Sequence, residues 1–317
     1  MKRTRKKAFT IVELLTVMGV IAVLIGLMVP ALALVKDYSK RIQQKAQFHG
    51  IDMGLQMYKT EMGSYPESSE NLIAPKAGDT STDAYCGANK LAEAMVGLDL
   101  IGFHPSSSFR GDGMSTIATS PPDVVVYNAE ADTVWQTAVE NMDARKGPFV
   151  DLEKVNAFRM DEVYDAANLG SFASSTSVGN GGSMYPLVLC DVYAQKRSGL
   201  GAKKTGTPIL YFRAHTNYKF QDSTDAQGTD DDIYNLNDNL EYLDLGLPDG
   251  TGLSGFTMMD TTVQNEFLNF EDMILNKNVT TINRPYRADS YILISAGKDG
   301  DFGTADDVFN FDKEITE

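Results

Sequence analysis

Cysteine and histidine are scarce in this chain, and their scarcity removes several kinds of chemistry. Two cysteines in 317 residues, Cys86 and Cys190, cannot build a disulfide scaffold, and they lack the C-x-x-C spacing of zinc and redox sites. The three histidines, His49, His104 and His215, stand far apart in sequence. No G-x-S-x-G, no H-E-x-x-H and no nucleotide-binding loop occurs. Residues 171–183 are rich in Ser and Gly but lack the Lys-Ser/Thr ending of a phosphate cradle, so they read as a loop. Positive charge is also in deficit, with 28 basic residues against 43 acidic ones and a net charge of −15, so nucleic acid is not an expected partner. At 43% hydrophobic and 22% charged residues the chain is not a disordered one. Its length suits one large domain or two ordinary ones.

The positive charge that exists is unevenly placed. Lys2, Arg3, Arg5, Lys6 and Lys7 put five positives in the first seven residues, and without them 23 basic residues face 43 acidic ones, a net −20. After Glu13 comes an uncharged run from Leu14 to Val35, 22 residues long. As a helix this reaches ~33 Å, enough for a bilayer core of ~30 Å. The positive flank should stay cytoplasmic and the acidic bulk should lie outside. A cleaved signal peptide fits less well, because the run exceeds the usual signal core of about 7–15 residues. A plain anchor leaves Glu13 unexplained, since a carboxylate within such a helix costs about 2.5–3.5 kcal/mol and normally has a partner and a role.

The stretch from Lys6 to Leu15, KKAFTIVELL, resembles the N-terminal signature of type IV prepilins and of type II secretion pseudopilins. The resemblance implies cleavage by a prepilin peptidase between Ala8 and Phe9, N-methylation of Phe9, and Glu13 as fifth residue of the mature chain. Ala8 stands where most members carry Gly. In the family's filaments the fifth-residue carboxylate pairs with the N-terminal amine of a neighbour, which offsets the burial of both charges and sets subunit register. Residues 1–8 would then be a leader and residues 9–62 one long helix, ~81 Å if unbroken. That helix would be embedded in the membrane at first and amphipathic later, with Pro30 bending or locally melting it. Its later part carries an apolar stripe, Phe48, Ile51, Leu55, Tyr58 and Met62, spaced for one helical face against a domain. Gly63 and Pro66 should end it, and the junction Tyr58–Pro66 is similar to the one that follows the long helix of major pseudopilins.

The expected fold class is α+β, the long helix packing on a C-terminal domain, residues 63–317, with an antiparallel sheet. A short helix is expected over 91–100, and strands over 124–127, 208–213 and 290–295. Members of the major class have about half this length, so residues from about 67 to 283 read as a large insertion. The acidic segment 222–249 reads as a solvated surface, with Asp230-Asp231-Asp232 a weaker cation candidate. Cys86 and Cys190 would lie outside the cytoplasm. They could close a loop of 104 residues, worth ~4–5 kcal/mol in the chain-entropy model, or remain two buried thiols.

Near the C-terminus, Asp299, Asp301, Asp306 and Asp307 place four carboxylates within nine residues, with Gly300 and Gly303 among them and Gly297 just before. Such a loop can curl around one hard cation or form a plain Asp/Gly turn. It is not an EF-hand, because Gly303 and Asn310 occupy the fifth and twelfth positions counted from Asp299. The loop resembles the C-terminal loop of major pseudopilins, and that resemblance implies a structural calcium.

The expectation is therefore a structural subunit and not an enzyme: a single-pass inner-membrane protein with its N-terminus cytoplasmic and its domain periplasmic. Its partners would be the prepilin peptidase, other copies of itself, other pseudopilins, the inner-membrane assembly platform and the membrane. A type IV pilus subunit, a pilus-borne adhesin and a membrane-anchored envelope enzyme are the alternatives.

Overall fold

The computed structural model describes residues 10–69, 71–73, 83–111, 113–116, 123–127, 136–164, 169, 172, 185–196, 204–221, 232–245 and 270–312. The chain divides into two compact units, residues 1–42 and 43–317, and helix α1, Ile11–Met62, supplies residues to both. The expected α+β architecture is present: a long apolar N-terminal helix followed by a domain of short helices and small antiparallel sheets.

In the first unit the side chains of α1 are exposed on every side. Relative exposure runs from 48% at Ile21 to 81% at Ile11 among the large apolar residues up to Val35. The most apolar 18-residue window has a mean hydropathy of 2.7 and is not buried at all, so the helix is long and apolar enough to cross a membrane. Pro30 lies inside it without interrupting the helical assignment, so the local melting expected there is not found.

In the second unit the same helix is one-sided. Phe48, Ile51, Leu55 and Tyr58 are buried, and Met62 packs against their cluster while partly exposed. Each fully buried side chain of this kind contributes about 1.5–3 kcal/mol relative to exposure. Gly54 lies on the same face, where a Cβ would come within 2.6 Å of Val150 Cγ1 and 3.1 Å of the Phe149 carbonyl, so only glycine permits this approach. Two polar residues on that face, Gln44 and Gln47, are also buried. Gln44 Oε1 accepts from the Val192 amide at 2.9 Å, and Gln47 Nε2 donates to the carbonyls of Val155 and Cys190 at 3.0 and 2.8 Å. Gly63 ends the helix at φ +86°, its N–H bonding to the Lys59 carbonyl at 2.8 Å. Tyr65 then folds back, accepting from Gln56 Nε2 at 2.8 Å, with Lys59 Nζ 4.3 Å from its ring centre.

The centre of the domain is a three-stranded antiparallel sheet. Strand β10, Tyr291–Ser295, lies between β9, Leu210–Arg213, and β11, Val308–Phe309. Tyr291 pairs with Arg213 and Ile294 with Leu210 on one side, and Ser295 with Val308 on the other. Every residue of β10 is buried, because alternate side chains enter two separate apolar clusters. Leu210, Phe212, Ile292, Ile294 and Phe309 join one cluster. Tyr211, Tyr291, Leu293 and Val308 join the other, which also holds the buried face of α1. A strand covered on both faces loses the in/out alternation and reads as one apolar run, as Tyr-Ile-Leu-Ile does here.

Residues within 67–283 supply much of this core. Helix α2, Gly87–Val96, has all ten of its residues buried and packs on β9 and on β6, Leu187–Leu189. It starts four residues before the expected Leu91 and ends at Gly97, which sits at φ +74° and donates to the Glu93 carbonyl at 2.7 Å. The expected solvated surface at 222–249 is corrected where it is described. Tyr234, Asp238, Asn239 and Leu243 are buried, along a 3-10 turn, Leu236–Asn239, and helix α6, Leu240–Leu245. The polar groups of this segment are spent on the domain: Asn239 Oδ1 accepts from the Ala88 amide at 2.9 Å, its Nδ2 donates to the Tyr211 carbonyl at 2.8 Å, and Ser68 Oγ donates to Asp238. Asp230, Asp231 and almost all of the 171–183 loop lie outside the described residues; Phe172, from that loop, is buried.

Candidate functional site

Ala8 and Phe9 lie outside the described residues. Glu13, the other member of the N-terminal group, is described and takes part in a reciprocal cap. Thr10 donates its N–H and its hydroxyl to Glu13 Oε2, both at 2.9 Å, while the Glu13 amide donates back to Thr10 Oγ1 at 3.2 Å. This is the capping-box arrangement, and it satisfies donors that the first turn of any helix leaves open. Thr10 was not singled out in the sequence, although T-x-x-E before an apolar run is a legible capping signal.

The C-terminal loop gathers its carboxylates unequally. Asp306 Oδ2 accepts from the amides of Lys298 and Asp299 at 2.6 and 3.2 Å, and its Oδ1 accepts from Thr304 Oγ1 at 2.7 Å. Asp299 Oδ1 accepts from the Asp301 amide at 2.9 Å. Burial, together with the neighbouring Asp306 carboxylate, pushes the Asp299 carboxyl up to about 6. Burial pushes Asp306 upward as well, but the Thr304 hydroxyl and the Lys298 and Asp299 amides outweigh it and hold this carboxyl below the ordinary value. Asp307 turns inward, 3% exposed, and accepts from the Gly303 amide at 2.9 Å. Asp301 adds main-chain groups, its carbonyl accepting from Thr304 Oγ1 at 3.4 Å. The loop thus makes one facing pair, Asp299 with Asp306, and directs Asp307 elsewhere. Among the described residues, no group of three or more His, Cys, Asp or Glu side chains converges as a metal shell. The chemistry of the pair suits a hard cation, which would have to complete its oxygens from main-chain carbonyls and water.

Asp191 ties this loop to the core. Its Oδ1 accepts from the amides of Tyr193 and Thr207 at 3.1 Å each, and its Oδ2 accepts from Ser295 Oγ at 2.9 Å, at the residue where β10 gives way to the loop. Cys86 and Cys190 are both fully buried, belong to the same apolar cluster and are held as thiols.

Two buried polar centres escaped sequence reasoning. Glu93, on α2, is fully buried and accepts from Tyr85 and Tyr127 hydroxyls at 2.6 and 2.7 Å and from the Ser107 hydroxyl. Burial raises its carboxyl above the ordinary value, and the three hydroxyls and the nearby Lys90 ammonium pull it back. All three donors are spent on the one carboxylate, so the cluster cross-links α2 to the 104–109 loop and to Tyr127. The second centre is His104, 1% exposed. Its Nδ1 accepts from the Ser106 amide at 3.1 Å, so Nε2 carries the proton and donates to Gln136 Oε1 at 3.3 Å. No spacing signal marks either centre, because their partners come from distant segments.

Burial, and then the Arg145 guanidinium, depress His104 to about 4 from an ordinary 6.5, against the upward pull of Gln136. Between those two values the unfolded chain binds a proton that the folded chain refuses, so this group's stabilisation is complete above about 6.5 and is lost as pH falls toward 4. Asp299 acts in the opposite direction: its raised value makes its contribution fall as pH rises from about 3.8 to about 6. Chemical denaturation from pH 4 to 7 should show a steeper rise in stability for the native chain than for His104→Asn, which keeps an acceptor near Nδ1. Equal slopes for the two proteins would contradict the assignment.

Comparison with protein-family models, with curated proteins and with solved structures returns no match to this chain. The family resemblance therefore rests on the N-terminal and C-terminal residues themselves, and what is established of the architecture is a long, membrane-capable apolar helix on an α+β domain.

Proposed function

We propose that this chain is a structural filament subunit of the pseudopilin type, which inserts through α1 and assembles through the same helix outside the cytoplasm. The observation that carries the reading is the two-part character of α1. Its first part is apolar all round, with Glu13 the sole charge before Lys36, and its last part is apolar on one face only. A surface of the first kind is stable in lipid or in a bundle of like helices, and in water it is not. The cap uses Oε2 of Glu13, and among the described residues Oε1 has no hydrogen-bond partner. That oxygen is available to the amine of a neighbour once Phe9 has become the N-terminus. The filament would serve protein export of the type II kind.

Within this reading the facing pair Asp299 and Asp306 holds a calcium ion that rigidifies the C-terminal loop, with the remaining oxygens supplied by main-chain carbonyls and water. Thermal unfolding checks this directly. At calcium concentrations about a hundredfold above Kd the native chain should gain about 2.7 kcal/mol over the chelated protein, and Asp306→Asn should gain little. Identical transitions with and without calcium would remove the ion from the account.

Assembly is tested at Glu13. With the processing and assembly machinery co-expressed, Glu13→Val should still insert and be processed. It should yield at least about a hundredfold less sheared filament, since losing one partner of a buried ion pair costs ~3–5 kcal/mol. Undiminished filaments from that variant would contradict the role of Glu13.

A further inference from the structure

The first unit of the chain carries a compact charged and aromatic segment directly after its apolar run. Lys36, Tyr38, Lys40 and Arg41 fall within six residues, in a chain whose net charge is −15. All belong to α1; Lys36, Tyr38 and Arg41 are exposed, Tyr38 at 69%, and Lys40 is partly exposed. Asp37 is the one acid among them. Lys45, the next basic residue, belongs to the second unit of the chain and lies ~13 Å beyond Lys36 along the helix.

Depth and direction both bear on what these side chains meet. From Glu13 to Lys36 the helix rises ~35 Å, close to a bilayer core of ~30 Å, so Lys36 emerges at the opposite boundary and Arg41 lies ~7.5 Å farther out. At about 100° per residue, Lys36 and Lys40 share one side, while Tyr38 and Arg41 point to others. A partner protein docking on one face would need the charges on that face. A headgroup layer surrounds the helix and meets all of them at once. Long basic side chains and tyrosine are the residue types that hold a helix at this boundary, the stems in acyl chain and the polar tips among phosphates.

We infer that Lys36, Tyr38, Lys40 and Arg41 form an interfacial collar that binds the phosphate of anionic phospholipid headgroups on the side of the membrane where the domain lies. This rests on the membrane reading of α1. The collar fixes the depth of the helix and gathers anionic lipid around an otherwise acidic protein.

The test uses the full chain reconstituted in vesicles of phosphatidylcholine alone and of phosphatidylcholine with about 30% phosphatidylglycerol, with spin-labelled lipids of each class reporting the immobilised shell. Insertion into the neutral vesicles measures the membrane reading by itself. The native chain should prefer the anionic lipid by roughly fivefold or more for the collar's share, and about 0.5 M salt should abolish most of it. The triple variant K36Q/K40Q/R41Q should lose that share while inserting normally; the basic leader is common to both proteins and cancels. K36R/K40R should retain it. Insertion with a lipid preference that the triple variant leaves unchanged would overturn the collar alone, and failure to insert into either vesicle would overturn the membrane reading with it.

Discussion

Some 25 residues of α1 present apolar side chains in every direction, and that surface is the constraint on which the rest depends. Burying it in water-excluded surroundings is worth more than the ~5–15 kcal/mol by which a domain is ordinarily stable. A helix of this kind is suited to lipid or to packing among other helices. The charges at its ends, Glu13 and the Lys36–Arg41 segment, are spaced to suit that setting, and the residues between them are uncharged. The same helix, past residue 43, has to obey the opposite rule. There it is amphipathic, and its buried face is pinned by chemistry as well as by apolar contact. Gln44 accepts from the Val192 amide, and Gln47 donates to the Val155 and Cys190 carbonyls. A helix slipped by one residue would leave those main-chain groups without partners at about 1–3 kcal/mol each.

The domain is organised by a sheet with no solvated face. Because β9 and β10 send alternate side chains into two clusters, every element that covers the sheet is needed on one side or the other. Helix α1 and the aromatic group of Tyr58, Phe103 and Phe149 close one side, with ring centres 5.2 and 5.7 Å apart. The 232–245 segment, the short helix Phe270–Ile274 and Phe302 close the other. Buried polar residues then connect the layers, with Glu93 bridging α2 to its loops and Asp191 bridging β6 and β9 to the end of β10. The C-terminal loop with Asp299 and Asp306 thus begins at a fixed point, Ser295.

Much of this was legible where a local signal existed. The helix from Ile11 to Met62, its stripe from Phe48 to Tyr58, the Gly63 stop, and the strands at 210–213 and 291–295 all follow from hydrophobic period, length and turn chemistry. What was not legible depends on pairs far apart in the chain. The two-to-three-residue strands, such as Ala157–Arg159 against Leu187–Leu189, are too short to show a period. The 232–245 segment reads as solvated because its Asp and Asn residues count as polar in sequence, while in the fold Asn239 saturates main-chain groups of Ala88 and Tyr211 and Asp238 accepts from the Ser68 hydroxyl. At the candidate site, the carboxylates of the C-terminal loop could be named from spacing. Which two of them face each other could not, since that depends on where Asp306 finds its three donors.

At the N-terminus a basic stretch, Ala8, Phe9 and Glu13 stand in the order of the prepilin signature that they resemble, and the proposed function depends on that resemblance. The most direct measurement is the mass of the N-terminal peptide of the protein taken from its native membranes. A peptide that begins at N-methylated Phe9 is the expected result. An intact leader, or a chain beginning near Ala33, would contradict the filament reading and leave α1 as an anchor or an export signal.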